Sequence, residues 1–186
     1  MSNLIYTAIT SLDGYIADAS GNFDWSAPDA EVHQFVNDRV RSIGTFLFGR
    51  RMYEVMSAWE DPDLVKDEGP ELQDFAQIWH AAEKVVYSSS LDAVTTRKMQ
   101  LERHFEPEVV RRLKEASTLD LSIGGAYLAA HALRAGLVDE IQVYFNPVVV
   151  GGGTRALPDD IRLDLELVDE HRFGNGVIFV HYRCRK

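Results

Sequence analysis

Three short stretches carry side chains suited to a phosphorylated ligand, and each stands where a strand pattern gives way to a helix or turn. Gly49-Arg50-Arg51 follow the apolar run Thr45-Phe46-Leu47-Phe48, Ser88-Ser89-Ser90 follow Lys84-Val85-Val86-Tyr87, and Gly124-Gly125 follow the alternating Leu119, Leu121 and Ile123. Guanidiniums are planar, permanently charged donors matched to phosphate oxygens, and paired arginines are either solvated surface or, directly after a buried strand, ligand-binding. Serine hydroxyls at a strand end either bind phosphate or ribose, or make an ordinary turn. Paired glycines ahead of a helix either make a tight packing turn or let a ligand approach the backbone, where the unpaired amides of the first turn favour negative charge. Ligands of open α/β sheets bind at the carboxyl ends of the strands, so all three stretches can converge on one rim. Guanidiniums beside serines suit a 2′-phosphate on an adenosine ribose, and Gly124-Gly125 suits a pyrophosphate. That combination points to NADPH over NADH. The G-x-G-x-x-G fingerprint is absent, which asks for a dinucleotide fold other than a standard Rossmann domain.

The elements that must position these residues alternate between strand and helix. Leu4 to Thr10 is a β-branched strand run, and Leu12-Asp13-Gly14-Tyr15 turns the chain. The loop from Ala19 to Trp25 carries Phe23 and Trp25, whose rings either cover a ligand or pin the loop to the core. Pro28 suits a first helical position, with Val32, Phe35, Val36, Val40 and Ile43 at helical spacing up to Gly44. Residues 60–69 read as an acidic surface loop. Pro70 opens a helix with Leu72, Phe75, Ala76 and Trp79 on one face, 91–106 lacks a clear period, and Pro107 starts a short helix with Val110 and Leu113 inward. In the helix after Gly125, Leu128, Ala129, Ala132 and Leu133 share a face until Gly136, a residue type expected just past a helix end. Glu140 to Phe145 is a strand, expected to run past Pro147 into Val148-Val149-Val150; Gly151-Gly152-Gly153 is then a backbone platform or a bend. The last third becomes a hairpin, with Leu163, Leu165 and Leu167 alternating, a Gly174-Asn175-Gly176 turn, and Val177, Phe179 and His181 alternating back.

At 186 residues and 46% hydrophobic content, the chain is expected to form one domain spanning residues 1–186. A net charge of −10 argues against nucleic acid or an anionic membrane as its main partner, without forbidding a local basic pocket. Cys184 is the one cysteine, which excludes an intrachain disulfide and fits a reducing cytoplasm. MSNLIYTAIT has no charged leader before an apolar run, and no apolar stretch approaches membrane-spanning length, so a soluble, unexported protein is expected. The six histidines show no ligand spacing, so no metal is expected, and His131 is read as a packed or surface residue, not a base.

Taken in order, Ser11-Leu12-Asp13-Gly14-Tyr15-Ile16-Ala17, Gly49-Arg50-Arg51-Met52-Tyr53-Glu54, Ile123-Gly124-Gly125-Ala126, and Leu137-Val138-Asp139-Glu140 with Pro147 and Gly151-Gly152-Gly153 closely resemble the family joining dihydrofolate reductases to the reductase domain of bacterial riboflavin biosynthesis. The resemblance covers nearly the whole chain and is closest to the stand-alone RibD C-terminal-domain members. It implies a dihydrofolate reductase-like three-layer α/β fold: a mostly parallel, twisted central sheet, helices on both faces and a C-terminal antiparallel hairpin. It also implies NADPH across the strand ends, a small-molecule substrate and a homodimer. Carried over by motif, Arg50 and Arg51 with Ser88 and Ser89 would hold the 2′-phosphate end, next to Gly49 and Met52. Met52 stands where a hydroxyl residue is common in the family, which removes one phosphate hydrogen bond. Gly124, Gly125, Ala126, Tyr127 and Leu128 would line the pyrophosphate and nicotinamide path. Asp13 would sit in the substrate pocket, with Ile16 and Trp25 as walls.

The chemistry so implied is direct hydride transfer to an electrophilic C=N of a pteridine- or pyrimidine-like substrate, completed by an acid. Reduction of 5-amino-6-(5-phosphoribosylamino)uracil is implied by the family alone, because nothing in the chain identifies a phosphoribosyl-binding set. Dihydrofolate reduction proper, or nucleotide binding without turnover, are the alternatives. The supporting carboxylate of dihydrofolate reductases lies at the start of the first long helix, where Asp29 and Glu31 fall here. Neither matches by motif, and both also suit the dipole of a helix N-terminus.

Overall fold

The computed structural model describes residues 2–66 and 68–185. In chain order the elements are β1 (Leu4–Ser11), β2 (Tyr15–Ala17), α1 (Ala30–Val40), β3 (Ile43–Gly49), α2 (Arg50–Met56), α3 (Pro70–Ala81), β4 (Glu83–Tyr87), β5 (Met99–Glu102), α4 (Pro107–Ala116), β6 (Asp120–Gly124), α5 (Ala126–Arg134), β7 (Glu140–Asn146), β8 (Thr154–Arg155), β9 (Leu165–Arg172) and β10 (Ile178–Cys184). Eight strands make one sheet in the order β5-β4-β3-β6-β1-β7-β10-β9, while β2 and β8 pair separately. From β5 to β7 every pairing is parallel, and β10 lies antiparallel between β7 and β9. The α/β architecture, with its C-terminal antiparallel hairpin, is the one expected.

Strand alternation divides the core. Leu47, Leu121, Ile123, Tyr6 and Ala8 point to one face, where Val110 of α4 and Leu128, Ala129 and Ala132 of α5 cover them. Ile5, Phe46, Phe48 and Val86 point to the other, under Tyr53 of α2 and Phe75 and Trp79 of α3. Phe46, Phe48 and Trp79 stack in a row at centroid separations of 5.7 and 5.8 Å. Helix α1 packs Val32 and Phe35 against Tyr144, Phe173 and Phe179 of the hairpin side. Each fully buried ring or branched chain contributes on the order of 2 kcal/mol, which is why the helices stay on both faces.

Several local expectations are corrected. Strand β7 stops at Asn146: Pro147 has no amide hydrogen for a ladder, Val148 offers its carbonyl to the Leu12 amide at 2.7 Å, and Val149 is 66% exposed. Pro28 lies ahead of α1, whose cap is Asp29, and the helix ends at Val40, with Ile43 and Gly44 belonging to β3. The stretch 91–106 contains β5, an edge strand with only partly buried side chains and therefore no clear alternation. Leu119 precedes β6 and is 54% exposed.

Lys114 of α4 fastens the amino end of the sheet. Its buried ammonium donates to the Leu137 carbonyl at 2.8 Å and to the Asp139 carboxylate, and the same carboxylate accepts the Leu4 amide at 2.9 Å. Removing one partner of a buried pair costs far more than the pair's net contribution. Lys114→Met is expected to lower the unfolding free energy by about 3 kcal/mol in denaturant titrations. A loss under about 1 kcal/mol would show that the pair does not hold the sheet's amino end.

Candidate functional site

Strands β3 and β6 are neighbours, yet the helices that follow them leave to opposite faces. Tyr53 of α2 joins the Phe46 and Phe48 side, and Leu128 of α5 joins the Leu47 and Ile123 side. Where adjacent strands diverge in this way, a crevice opens beyond their carboxyl ends. Gly49, Gly124 and Gly125 stand at that crevice. Phe48 pairs with Gly124, and Gly49 pairs with Tyr87, so the Gly49-Arg50 step is flanked by the Gly125 junction on one side and by Ser88 on the other.

Space restricts this backbone at Gly124, a positive φ restricts it at Gly125, and Gly49 has room for ordinary contact. A Cβ on Gly124 would stand 3.1 Å from the Phe48 ring, one on Gly125 would meet the Met52 Cβ at 3.7 Å, and one on Gly49 would meet the Leu128 Cβ at 3.8 Å. Met52 therefore packs on the Gly-Gly turn through its methylenes. Gly125 caps α5 at φ +91°, a conformation open chiefly to glycine, and offers no side-chain acceptor to the first-turn amides. Ala126 and Leu128 turn their side chains inward, so they present a ligand with backbone alone, while Tyr127 is 83% exposed beside them.

On the other flank, Arg50 donates through Nη1 to Ser90 Oγ at 2.9 Å and through Nε to Glu54 at 2.7 Å. Arg51, also exposed, has no side-chain partner among the described residues. The three serines differ in role. Ser88 is buried and turns its hydroxyl onto the amides of Ser90 at 3.2 Å and Leu91 at 3.1 Å, Ser89 is exposed, and Ser90 meets Arg50. Arg103, just past β5, donates to the carbonyls of Ser88, Leu91 and Asp92. Sequence reasoning did not find it: it stands in a stretch without period and acts through backbone carbonyls.

The remaining sequence candidates lie between the end of β1 and the first turn of α1. Asp13 accepts the amides of Val150 at 3.2 Å and Gly151 at 2.8 Å. The Ser11 hydroxyl, and then those amides, hold its carboxyl below the usual carboxylate range, so it is ionised at neutral pH. Asp29 caps α1 by accepting the Val32 amide at 3.0 Å, and Glu31 accepts the Gly174 amide at 3.1 Å. Ile16 lies in β2, part-buried against the core under α5. Trp25 sits in a short 3-10 turn, Asp24–Ser26, with its indole N–H buried and without a protein acceptor among the described residues. A cleft of about 600 Å³, lined by Tyr15, Tyr127, Ala130, Arg134, Thr154 and Arg155 among others, lies beside the start of α5. His131 is exposed and stacks on Phe105 at 6.0 Å. Among the described residues, no group of three or more His, Cys, Asp or Glu is placed to hold a metal ion.

Gly125→Ala should cost about 1–3 kcal/mol of stability, because φ rather than space is what the methyl violates. Gly152→Ala, with open space and no positive φ, should remain level or gain up to about 1 kcal/mol. Thermal melts of the two variants check this, and equal losses would mean that the Gly125 conformation is not held.

A family model described as the RibD C-terminal domain matches residues 2–179. The chain is 28% identical over 185 residues to the uncharacterized protein YyaP of Bacillus subtilis (strain 168), covering 96% of this chain and 93% of that one. Among solved structures, a putative riboflavin biosynthesis protein from Shewanella sp. PV-4 superposes with a TM-score of 0.75 at 19% identity, covering 100% of both chains. Dihydrofolate reductase from Enterococcus faecalis, solved with NADP(H), superposes with a TM-score of 0.63 at 13% identity, covering 99% of this chain and 97% of that one. With the family match spanning nearly its whole length, this chain belongs to the RibD C-terminal domain family, whose fold is that of the dihydrofolate reductases.

Proposed function

We propose that this protein is a cytoplasmic, single-domain, homodimeric NADPH-dependent reductase that transfers a hydride to a pteridine- or pyrimidine-like small molecule, such as the aminouracil precursor of riboflavin. The supporting observation is that Arg50, bonded to Ser90 at 2.9 Å, shares one rim with the glycine-capped start of α5. The residues fit the cofactor. A cradle without side chains suits a pyrophosphate, and exposed guanidiniums beside serine hydroxyls suit a 2′-phosphate.

When bound, the dihydronicotinamide supplies the hydride. The chain's residues do the positioning. Arg50, Arg51, Ser89 and Ser90 grip the 2′-phosphate, and the amides of Ala126, Tyr127 and Leu128 bind the pyrophosphate. Gly124 and Gly125 keep the approach clear, with Met52 against them in place of a hydroxyl donor. Asp13 holds the loop at Val150 and Gly151, and Ile16 and Trp25 exclude water on the substrate side. Asp29 and Glu31 are the remaining carboxylate candidates, and each already accepts a backbone amide.

A second reading, nucleotide binding without turnover, is favoured by one observation: Asp13, Asp29 and Glu31 all accept backbone amides. Sustained loss of reduced-nicotinamide absorbance with any pterin or aminouracil substrate would exclude it. Light scattering at twice the chain mass would support the dimer.

Changing Arg50 and Arg51 together to Ala should weaken NADPH about 10- to 100-fold, the value of one or two charge-assisted hydrogen bonds, and NADH by less than about threefold. Fluorescence titration with both cofactors measures this. Equal weakening of both would remove the 2′-phosphate assignment.

A further inference from the structure

Arg103 stands one residue beyond β5 and spends its guanidinium on main chain. Nη1 donates to the Ser88 carbonyl at 3.3 Å and to the Leu91 carbonyl, and Nη2 donates to the Asp92 carbonyl at 3.4 Å. The turn it grips is tied from within as well, by Ser88 Oγ on the amides of Ser90 and Leu91, and its base is fixed by the Ser88 amide on the Glu102 carbonyl at 2.9 Å. One link further on, Ser90 meets Arg50 at 2.9 Å. A planar, multi-donor fork can hold several carbonyls at once, which a single ammonium cannot reproduce. None of these partners is a carboxylate, so the charge of Arg103 is not neutralised by the contacts that hold it. Arg50, by contrast, already faces Glu54.

Resting on the NADPH reading above, we propose that Arg103 is a positioning and specificity residue for the 2′-phosphate. It braces the Ser88–Asp92 turn so that Ser90 and Arg50 face one point, and it adds an uncompensated positive charge within screening range of that point. A brace that served stability alone would treat both cofactors alike, because NADPH and NADH differ only at this phosphate. An arginine acting on the phosphate would not.

The experiment is direct titration of the full-length protein, its R103A and R103K variants, and the Arg50/Arg51 double alanine variant with NADPH and NADH. R103A is expected to lower the ratio of NADH to NADPH dissociation constants about tenfold, and R103K about threefold, since lysine keeps the charge and loses the fork. Should R103A not fold, R103K decides: a ratio lowered about threefold supports the proposal, and an unchanged ratio overturns it. Unchanged ratios in folded variants, or equal weakening of both cofactors, also overturn it. If the double variant collapses the ratio while the Arg103 variants do not, Arg103 is only a turn brace and the NADPH reading stands. If the wild-type protein shows no preference for NADPH, both fall.

Discussion

The contact between the turn at Gly124-Gly125 and the first turn of α2 governs how the rest of the rim is arranged. Strands β3 and β6 lie side by side, and their helices must leave on opposite faces without colliding. A Cβ at Gly124 would press on the Phe48 ring at 3.1 Å, and Gly125 takes a positive φ that favours glycine. Met52 and Leu128 lie at ordinary contact distance, 3.6 to 3.8 Å from where a Cβ on Gly124, Gly125 or Gly49 would stand. The glycine that the turn conformation favours at position 125 also leaves the first-turn amides of α5 without a side-chain cap, so the turn and the anion-accepting surface come from one cause.

Electrostatics at the rim runs against the rest of the molecule. The chain carries a net charge of −10, yet Arg50 and Arg103 both bind the Ser88–Asp92 turn, with Arg51 next to Arg50 in the chain. Of these, Arg50 pairs with Glu54 in an i,i+4 contact whose side chains are 49% and 48% exposed. Exposed pairs of this kind contribute under about 1 kcal/mol, so a phosphate dianion can take the guanidinium over at small cost. The pair keeps Arg50 extended towards Ser90 in the meantime.

Much of this was legible in the chain because strand and helix periods were clean where the core is clean. Phe46 to Phe48 and Leu121 to Ile123 are buried on both faces, and Leu128, Ala129, Ala132 and Leu133 share one stripe. Elsewhere hydrophobicity misled. Val148-Val149-Val150 looks like strand, but the missing Pro147 amide ends the ladder and Val149 turns to solvent. Strand β5 was hidden because an edge strand with partly exposed side chains has no alternation to read. The division of labour among Ser88, Ser89 and Ser90 was hidden for another reason: it depends on which hydroxyl the turn folds inward. Arg103 was invisible because its partners are carbonyls, which every residue has.

The acidic candidates Asp13, Asp29 and Glu31 share a physical character that bears on how variants there are to be interpreted. Asp13 joins the end of β1 to the segment after β7, Asp29 starts α1, and Glu31 joins α1 to the hairpin turn at Gly174. Each accepts amide hydrogens and is strongest in that role when ionised. For Asp13 the hydrogen bonds also depress the pKa, so its contribution to loop order is complete above the ordinary carboxylate range and fades only as pH falls through the lowered value. Replacing it would release the amides of Val150 and Gly151, just ahead of Gly153 and Thr154 in the wall of the cleft. Loss of activity on replacing Asp13 is therefore what a positioning carboxylate produces, and it does not by itself identify a proton donor.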